Sequence, residues 1–281
     1  MKGRAEARGA VTIVNAIAAG KGCAVGVDLR TWAEVELVPG EGAEVRLEGL
    51  PDEPTTLAEL CALEVLERFS VRRRAIVRTG SQLPVSRGLK SSSAAANAVI
   101  MATLRALGES MPALDVLRMN ADVSVRAGVS VTGAMDDAAA SLLGGVVLTD
   151  NHARALLRRE RFGLAPRAVI GVPERMVRKA GLPRERIALH RPLVEEAFRM
   201  AWNGEYAKAM YLNSLCYGAA LGLDLEPPLR ALAAGALGAG ISGTGPAVAA
   251  FVDLGTERKV AEALGMPTLA ANVYQGVEGS G

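Results

Sequence analysis

Three features of this 281-residue sequence predict an α+β fold. Segments with strand-like apolar patterns and segments of helical period follow one another in mixed order. A parallel doubly wound sheet would instead alternate one strand with one helix. Half of the residues are apolar, which is enough to bury a sizeable core. No internal repeat or low-complexity linker interrupts the pattern.

Strands dominate the first third of the chain, and helices follow. Apolar runs bounded by Gly, Pro or charged residues predict strands near 11–14, 24–29, 32–38 and 43–48, a helix near 56–69, and a strand at 71–78. Residues 94–107 are mostly Ala, Val, Ile, Met and Leu with one Arg, so a buried helix is expected at 93–107. A second helix is expected near 113–127, a short one opening at Asp136, and a strand at 145–149.

The pattern changes after Asn151. Residues 153–165 are rich in Arg, and 167–172 predict a strand. Two helices are expected near 192–202 and 204–221, with Gly204 and Glu205 at their junction. A strand at 246–252, a helix at 256–264 and a strand at 268–274 complete the prediction.

The segment 84–97, PVSRGLKSSSAAAN, has the composition of a phosphate-binding loop. Gly88 permits close approach of the backbone to a ligand, and Lys90 supplies a positive charge. Ser91, Ser92 and Ser93 place hydroxyl groups beside the N–H groups of a helix start, where anions bind favourably. The alternative is an ordinary Ser cap after a Pro-Gly turn.

An adjacent acid pair forms the second candidate motif. Asp136 and Asp137 lie in VSVTGAMDDAAASLLGG, residues 129–145, which carries no other charge. One of them is expected to cap the following helix. The other is then available to orient a hydroxyl group, accept its proton or bind a metal beside phosphate.

A glycine-rich segment, GAGISGTGPAVAAF at 238–251, forms the third candidate motif. Its hydroxyl groups and glycines predict a loop that faces phosphate or substrate and leads into a strand.

Together these motifs resemble the GHMP family of small-molecule kinases, named for galactokinase, homoserine kinase, mevalonate kinase and phosphomevalonate kinase. The central PxxxGLxSSxA signature of that family is matched by Pro84, Gly88, Leu89, Ser91, Ser92 and Ala94. Within the family, GLKSSSAAANA, with Lys90 where most members carry Gly, resembles the archaeal-type shikimate kinases. The resemblance covers essentially the whole chain, and its motifs occur in the expected order.

The resemblance implies two domains with the site in the cleft between them: a ribosomal-protein-S5-like half at 1–152 and a ferredoxin-like half at 153–281. The nucleotide would be bound by Pro84, Ser86, Arg87, Gly88, Leu89, Lys90, Ser91, Ser92, Ser93 and Ala94. Asp136 is the leading candidate for the catalytic base. Asp137 is the alternative if the family motif aligns one residue further along, and Lys90 is a further catalytic group. Mg²⁺ would bind Ser92, with Asp122 as a second ligand.

The implied first motif is TIVNAIAAGKGCAVGVDL at 12–29. It is not a P-loop, because Asn15 and Gly22 stand where that motif requires Gly and Ser or Thr. Substrate contacts are expected from Asn15, Lys21, Asp28, Ser242, Gly243, Thr244 and Gly245. Lys21 could equally be a solvated turn residue, and Asp28 could pair with a neighbouring base. Either Lys21 or Arg87 could meet a substrate carboxylate, although Arg87 could also contact nucleotide.

Composition excludes several other functions. A net charge of +2, four Phe, four Tyr and two Trp give no basic or aromatic surface for nucleic acid. Residues 231–252 carry no charge, but five Gly and Pro246 interrupt them, so no membrane span is expected. Cys23, Cys61 and Cys216 are expected to be reduced core residues. Neither histidine has the spacing of a hydrolase triad or a zinc site, and the N-terminus lacks a signal peptide, which predicts a cytoplasmic enzyme.

The activity that the resemblance implies is transfer of the γ-phosphoryl group of ATP, with Mg²⁺, to the 3-hydroxyl of shikimate, giving shikimate 3-phosphate on the route to chorismate and aromatic amino acids. The alternatives are homoserine or mevalonate kinase activity and, from a different class, a catalytically silent ligand sensor. The oligomeric state is left open.

Overall fold

The computed structural model describes residues 1–50, 52–83, 90–174 and 181–276. Its first half contains a six-stranded sheet and four helices. In chain order these are β1 (Lys2–Val14), β2 (Lys21–Val38), β3 (Ala43–Leu47), α1 (Thr56–Arg68), β4 (Arg74–Ser81), α2 (Ser91–Leu107), α3 (Ala113–Arg126), α4 (Met135–Leu143), β5 (Val146–Asp150) and β6 (Ala155–Glu160). The strand order is β3-β4-β2-β5-β6, and β1 also pairs with β2.

The second half contains a four-stranded antiparallel sheet. Its elements are β7 (Arg167–Gly171), α5 (Arg184–Ala188), α6 (Arg191–Trp202), α7 (Tyr206–Leu221), α8 (Glu226–Ala233), β8 (Gly238–Ile241), β9 (Val248–Val252), α9 (Glu257–Leu264) and β10 (Thr268–Asn272). The strand order β10-β7-β9-β8 places the first and third strands of this half at the centre. This is the ferredoxin-like arrangement, and the predicted α+β class is confirmed.

Strand β2 organises the first sheet. It runs unbroken from Lys21 to Val38, where the sequence predicted two strands. Its start pairs with β5 and its end with β4, while β1 lies along its other edge. Strand β1 begins at Lys2, well before the predicted start at residue 11, because Ala5 and Ala7 alternate with charged residues and face the core.

Four short elements were not predicted. Strand β6 lies in the Arg-rich segment and pairs with β5, so the first sheet continues past the division expected at 152–153. Strand β8 occupies the start of the segment predicted to be a glycine loop, since its glycines allow close packing against α7. Helices α5 and α8 are one to two turns long, too short for a clear periodic pattern.

The two sheets share one apolar core. Buried side chains such as Val25 and Ile100 of the first half belong to the same cluster as Met210 and Phe251 of the second. The three cysteines are free and buried, as predicted. Within the part of the chain that the structure describes, no helix combines the length and apolarity that crossing a membrane would require.

Candidate active site

A cavity lies where the first half of the chain meets the loop between β8 and β9. It is lined by Asn15, Ala16, Ile17, Lys90, Ser130, Val131, Thr132, Ala134, Asp136, Asp137, Gly243 and Thr244. The fold therefore brings together candidates from all four of the sequence motifs and from both halves of the chain. Five nucleotide candidates, Pro84, Ser86, Arg87, Gly88 and Leu89, lie outside the described residues.

The acid pair lies in the first turn of α4. The expectation that one aspartate caps this helix is wrong, because the capping position is Ala134, which has a left-handed backbone with φ of 50° and makes no side-chain cap bond. Both carboxylates instead point to partners on other elements. Each aspartate is 3 % exposed.

Asp137 forms a buried ion pair with Lys90. The Lys90 Nζ lies 2.8 Å from Asp137 Oδ1 and 2.9 Å from Oδ2. Only 9 % of the lysine side chain and 4 % of the aspartate side chain are exposed. Both oxygens of Asp137 are thus held by one cation, in a setting where losing either partner would leave a buried charge.

Asp136 has a neutral partner. Its Oδ1 accepts a hydrogen bond of 2.9 Å from Nδ2 of Asn151, which follows β5. Burial raises the pKa of Asp136 to about 6; the charge of Asp137 adds to this, while Lys90 and the Asn151 bond act in the opposite direction. Gly22 lies alongside, where a Cβ atom would be 2.5 Å from Asp136 Oδ2. The carboxylate is therefore poised to gain or lose a proton near neutral pH.

Helix α2 presents its first turn beside this pair. It begins at Ser91, two residues before the predicted start, because Lys90 takes the capping position with φ of 66°. Ser91 and Ser92 are half-buried, and Ser93 is buried with its carbonyl bonded to Asn120 Nδ2 at 2.9 Å. The lysine that lines the cavity is therefore followed directly by the first turn of α2 and its two half-buried serines.

A buried polar network fixes the three helices of the site. Asn97 Nδ2 donates to the carbonyl of Ala138 at 2.9 Å, which joins α2 to α4. Asn120 of α3 donates to Asn97 Oδ1 at 2.7 Å and accepts from Ser124. Since every member is buried, this network holds α2, α3 and α4 at fixed distances.

Helix α7 of the second half shapes the loop that carries Asn15. The Asn15 amide donates to Asn213 Oδ1 at 2.9 Å, and its carbonyl accepts from the Tyr217 hydroxyl at 3.1 Å. The Tyr217 oxygen also accepts from the Ala18 amide at 3.0 Å. Asn15 Oδ1 accepts from the Ile17 amide at 2.9 Å, so this side chain stabilises its own loop.

The glycine loop is tied to β1. The Gly243 amide donates to Thr12 Oγ1 at 2.9 Å, and the Thr12 amide donates to Ser242 Oγ at 3.2 Å. Gly243 and Thr244 line the cavity, whereas Ser242 is fully buried behind them. Gly245 donates its amide to the Ser242 carbonyl at 3.0 Å and closes the turn.

Three candidates lie away from the cavity. Lys21 is exposed and places Nζ 5.8 Å from the centroid of the Phe198 ring. Asp28 pairs with Arg8 at 2.8 Å, the alternative that its neighbours suggested. Asp122 is 61 % exposed and pairs with Arg154 Nε at 2.9 Å, so its carboxylate is not presented to the acid pair.

Other lining and supporting residues were missed by sequence reasoning. Ser130, Val131 and Thr132 line the cavity just before the acid pair. Their signal is the hydroxyl-rich run that leads into Gly133. Asn151 is a polar residue directly after the apolar strand β5, a position where strand ends often carry site residues.

Comparisons with known proteins agree with this geometry. The model of the GHMP kinases N-terminal domain matches residues 56–145, and that of the GHMP kinases C-terminal region matches 193–266. The chain is 47% identical to a shikimate kinase of Methanosarcina acetivorans over 252 residues, covering 89% of this chain and 85% of that protein. It is 40% identical to a shikimate kinase of Pyrococcus furiosus, covering 90% and 92% of the two chains.

Solved structures share the fold at low sequence identity. A homoserine kinase from Cytophaga hutchinsonii superposes with a TM-score of 0.77 at 20% identity, covering 98% of this chain and 96% of that one. The Methanococcus jannaschii mevalonate kinase gives a TM-score of 0.78 at 12% identity, with 97% and 98% covered. The family models, the relatives and the cavity between the two halves lead to one conclusion: the chain belongs to the GHMP kinase family.

Proposed function

We propose that this chain is a shikimate kinase, which transfers the γ-phosphoryl group of ATP to the 3-hydroxyl of shikimate. The observation that carries the substrate assignment is the identity of 40–48% to archaeal proteins named shikimate kinase, over about nine-tenths of the chain. The use of ATP follows from membership of a kinase family. The product is shikimate 3-phosphate, on the route to chorismate.

Asp136 is the proposed base. It accepts the proton of the attacking hydroxyl while the new oxygen–phosphorus bond forms and the bond to the leaving ADP breaks. A pKa of about 6 leaves Asp136 ionised at neutral pH yet basic enough to take up a proton. Asp137 is less suited, because both of its oxygens contact Lys90.

Lys90 and the start of α2 form the proposed phosphate side of the site. Lys90 directly precedes α2, contacts Asp137 and lines the cavity, where its amine would meet negative charge that develops on the transferred group. The amide groups of the first helical turn and the hydroxyls of Ser91 and Ser92 would contact the phosphate oxygens. Because buried bonds hold Lys90 to Asp137 and the Ser93 carbonyl to Asn120, the lysine and the start of α2 need little reorganisation during the reaction.

Mg²⁺ would arrive with ATP and neutralise phosphate charge. Magnesium in such sites keeps several water ligands and uses one or two protein groups, and Ser92 can supply one hydroxyl oxygen. Across the described ranges no cluster of three or more acidic, histidine or cysteine side chains could hold a metal. We therefore assign no metal role to Asp122.

Acceptor recognition is proposed for the wall formed by Asn15, Ile17, Thr132 and Thr244. These residues come from both halves of the chain and line the same cavity as the acid pair. We also propose that the halves are domains divided after Glu160, where the first sheet ends, and that the enzyme works in the cytoplasm.

The test is ADP release with Mg·ATP in the presence of shikimate, homoserine, mevalonate or galactose. Release that depends on shikimate is expected. Release with another acceptor would keep the chemistry and replace the substrate. ATP binding without release for any acceptor would favour a ligand sensor.

The same assay decides between the two aspartates. We expect Asp136→Asn to lower kcat by at least about a hundredfold, as loss of a general base does, with shikimate KM little changed. If Asp136→Asn turned over near the wild-type rate while Asp137→Asn did not, the base would be Asp137.

A further inference from the structure

Asn151 has all of its polar groups engaged, and one of them contacts the proposed base. Nδ2 donates to Asp136 Oδ1 at 2.9 Å and to Thr132 Oγ1 at 3.2 Å. Oδ1 accepts from Thr149 Oγ1 at 2.7 Å. The backbone amide donates to the Gly20 carbonyl at 2.8 Å, and the side chain is fully buried.

These bonds fix the orientation of the carboxamide. The Thr149 hydroxyl donates a hydrogen bond to the carboxamide oxygen of Asn151. The NH₂ group of the same carboxamide therefore faces Asp136. The reversed orientation would set an oxygen atom against the carboxylate. The backbone carbonyl of Asn151 also accepts from Arg154, which in turn bonds the Thr132 carbonyl, so the segment cannot shift on its own.

We propose that Asn151 is a positioning residue for the reaction, which holds Asp136 by Oδ1 and leaves Oδ2 to receive the proton of the acceptor hydroxyl. This inference rests on the proposed role of Asp136 as the base. Asp136 lines the cavity, and it can pack this closely against β2 only because residue 22 is glycine, since a Cβ there would lie 2.5 Å from Oδ2. Asn151 makes no contact with substrate in this arrangement; it acts through Asp136.

The charged and titratable groups around Asp136 are few. Asp137 and Lys90 lie on the cavity side and hold one another. Among the described residues, Cys23 of β2 and Tyr217 of α7 also lie near Asp136; burial raises the pKa of both, so both are neutral where Asp136 titrates. Asn151 is thus the neutral donor that favours the ionised form of Asp136, and its removal must favour the protonated form.

The test is the pH dependence of kcat/KM for Asn151→Leu. The activity of the wild-type enzyme should fall as the pH falls through the pKa of Asp136, and in the variant this acidic limb should move upward by about one pH unit. The matched control is Thr103→Val, which removes a fully buried hydroxyl that donates to the Val99 carbonyl within α2. A purely structural role for Asn151 would lower stability in both variants and leave the limb unmoved in both, which would overturn the proposal.

A second readout does not depend on turnover. The side-chain carboxyl of Asp136 can be titrated by ¹³C NMR in aspartate-labelled protein, with the resonance assigned by its absence in Asp136→Asn. An upward shift of its midpoint in Asn151→Leu supports the proposal even if shikimate is not the acceptor, and an unchanged midpoint rejects it. If Asn151→Leu does not fold, the isosteric Asn151→Asp provides the same test, with an upward shift again expected because a carboxylate replaces the donor.

Discussion

Asp136 carries a charge that opposes folding. Its pKa rises from 3.8 to about 6 when the chain folds, so the folded state binds the proton more tightly than the unfolded chain between these values. Stability therefore decreases as pH rises from about 4 to about 6, and the loss is complete above that interval. The penalty is a cost of placing a proton acceptor in a buried site.

Removal of this charge should stabilise the protein. We expect Asp136→Asn to raise the free energy of unfolding at pH 7.5 by on the order of 2 kcal/mol, with the gain shrinking as the pH approaches 4. Urea unfolding at several pH values measures this. Asp137→Asn is the matched control and should destabilise by about 3 kcal/mol, because it leaves Lys90 buried without its partner. Equal losses of unfolding free energy in the two variants would contradict the conclusion that Asp136 carries an unfavourable buried charge and Asp137 a paired one.

Lys90 occupies a backbone conformation that favours glycine. With φ of 66° it carries strain of about 1 kcal/mol that glycine would not. We expect Lys90→Gly and Lys90→Met both to lose activity, since both lack the amine. Of the two variants, Lys90→Gly should be the more stable by about 1 kcal/mol, because glycine adopts this backbone conformation without strain. Thermal unfolding gives the comparison. Ser70→Gly, at φ of 54° after α1, is a control that should gain stability without loss of activity.

Residue types alone identified only part of this site. Asp136 and Asp137 were predicted because charge in an apolar, glycine-bounded run is conspicuous, and Lys90 because its segment has the composition of a phosphate-binding loop. Asn151 and Tyr217 were missed, because their roles depend on which backbone groups they reach, and this is set by strand and helix packing distant in sequence. Asp28 and Asp122 are acidic, as the predicted substrate and metal contacts require, but in the fold each pairs with an arginine away from the cavity.

At the level of elements, β2 determines how closely the acid pair approaches the sheet. Gly22 should tolerate no side chain, since its Cβ would lie 2.5 Å from Asp136 Oδ2. We expect Gly22→Ala to lower kcat by about tenfold or more by displacing the carboxylate, a change of at least about 1.4 kcal/mol in the barrier. Steady-state kinetics measures the effect. Gly163→Ala, where a Cβ meets nothing within 4 Å, should behave as wild type. Unchanged kcat in Gly22→Ala would show that Asp136 need not be held at that distance.

Elements with a strong apolar pattern were predicted better than those without one. The helices α2 and α7 and the strands β5 and β7 are within two residues of their predicted bounds, since each has a strong apolar pattern. Strand β6 was missed because its residues are half-buried or exposed and three of its six positions are charged. The continuity of β2 was missed because a break was placed near Arg30, where the strand only changes neighbours from β5 to β4.

On the scale of the whole molecule, the halves are joined beyond the cavity. The segment after β10 returns to the first sheet, where the Tyr274 amide donates to the Gly26 carbonyl at 2.9 Å and the Gly145 amide to the Tyr274 carbonyl at 2.7 Å. Gln275 donates to the Phe162 carbonyl at 2.9 Å. Helices α6 and α7 also pack on β1. Each half therefore covers apolar surface of the other.

We expect one cooperative unfolding transition for the whole chain. Urea unfolding followed by circular dichroism and by tryptophan fluorescence should give coincident midpoints. The fluorescence reports on both halves, because Trp32 lies in β2 of the first half and Trp202 in α6 of the second. Residues 1–163 expressed alone should not unfold cooperatively, because the face of β1 that α7 covers would be exposed. Two separate transitions in the whole chain would mean that the shared core does not couple the halves.

The contacts between α7 and the loop at 15–18 involve the main chain of that loop. Asn213 and Tyr217 bind the amide and carbonyl of Asn15 and the amide of Ala18, groups that every residue other than proline possesses. The side chains of Ala16 and Ile17, which line the cavity, take no part in this anchoring. Positions 16 and 17 are therefore open to evolutionary change, and to directed libraries, without loss of the bonds by which α7 holds the loop. A change of acceptor can arise there by substitutions that leave the scaffold intact.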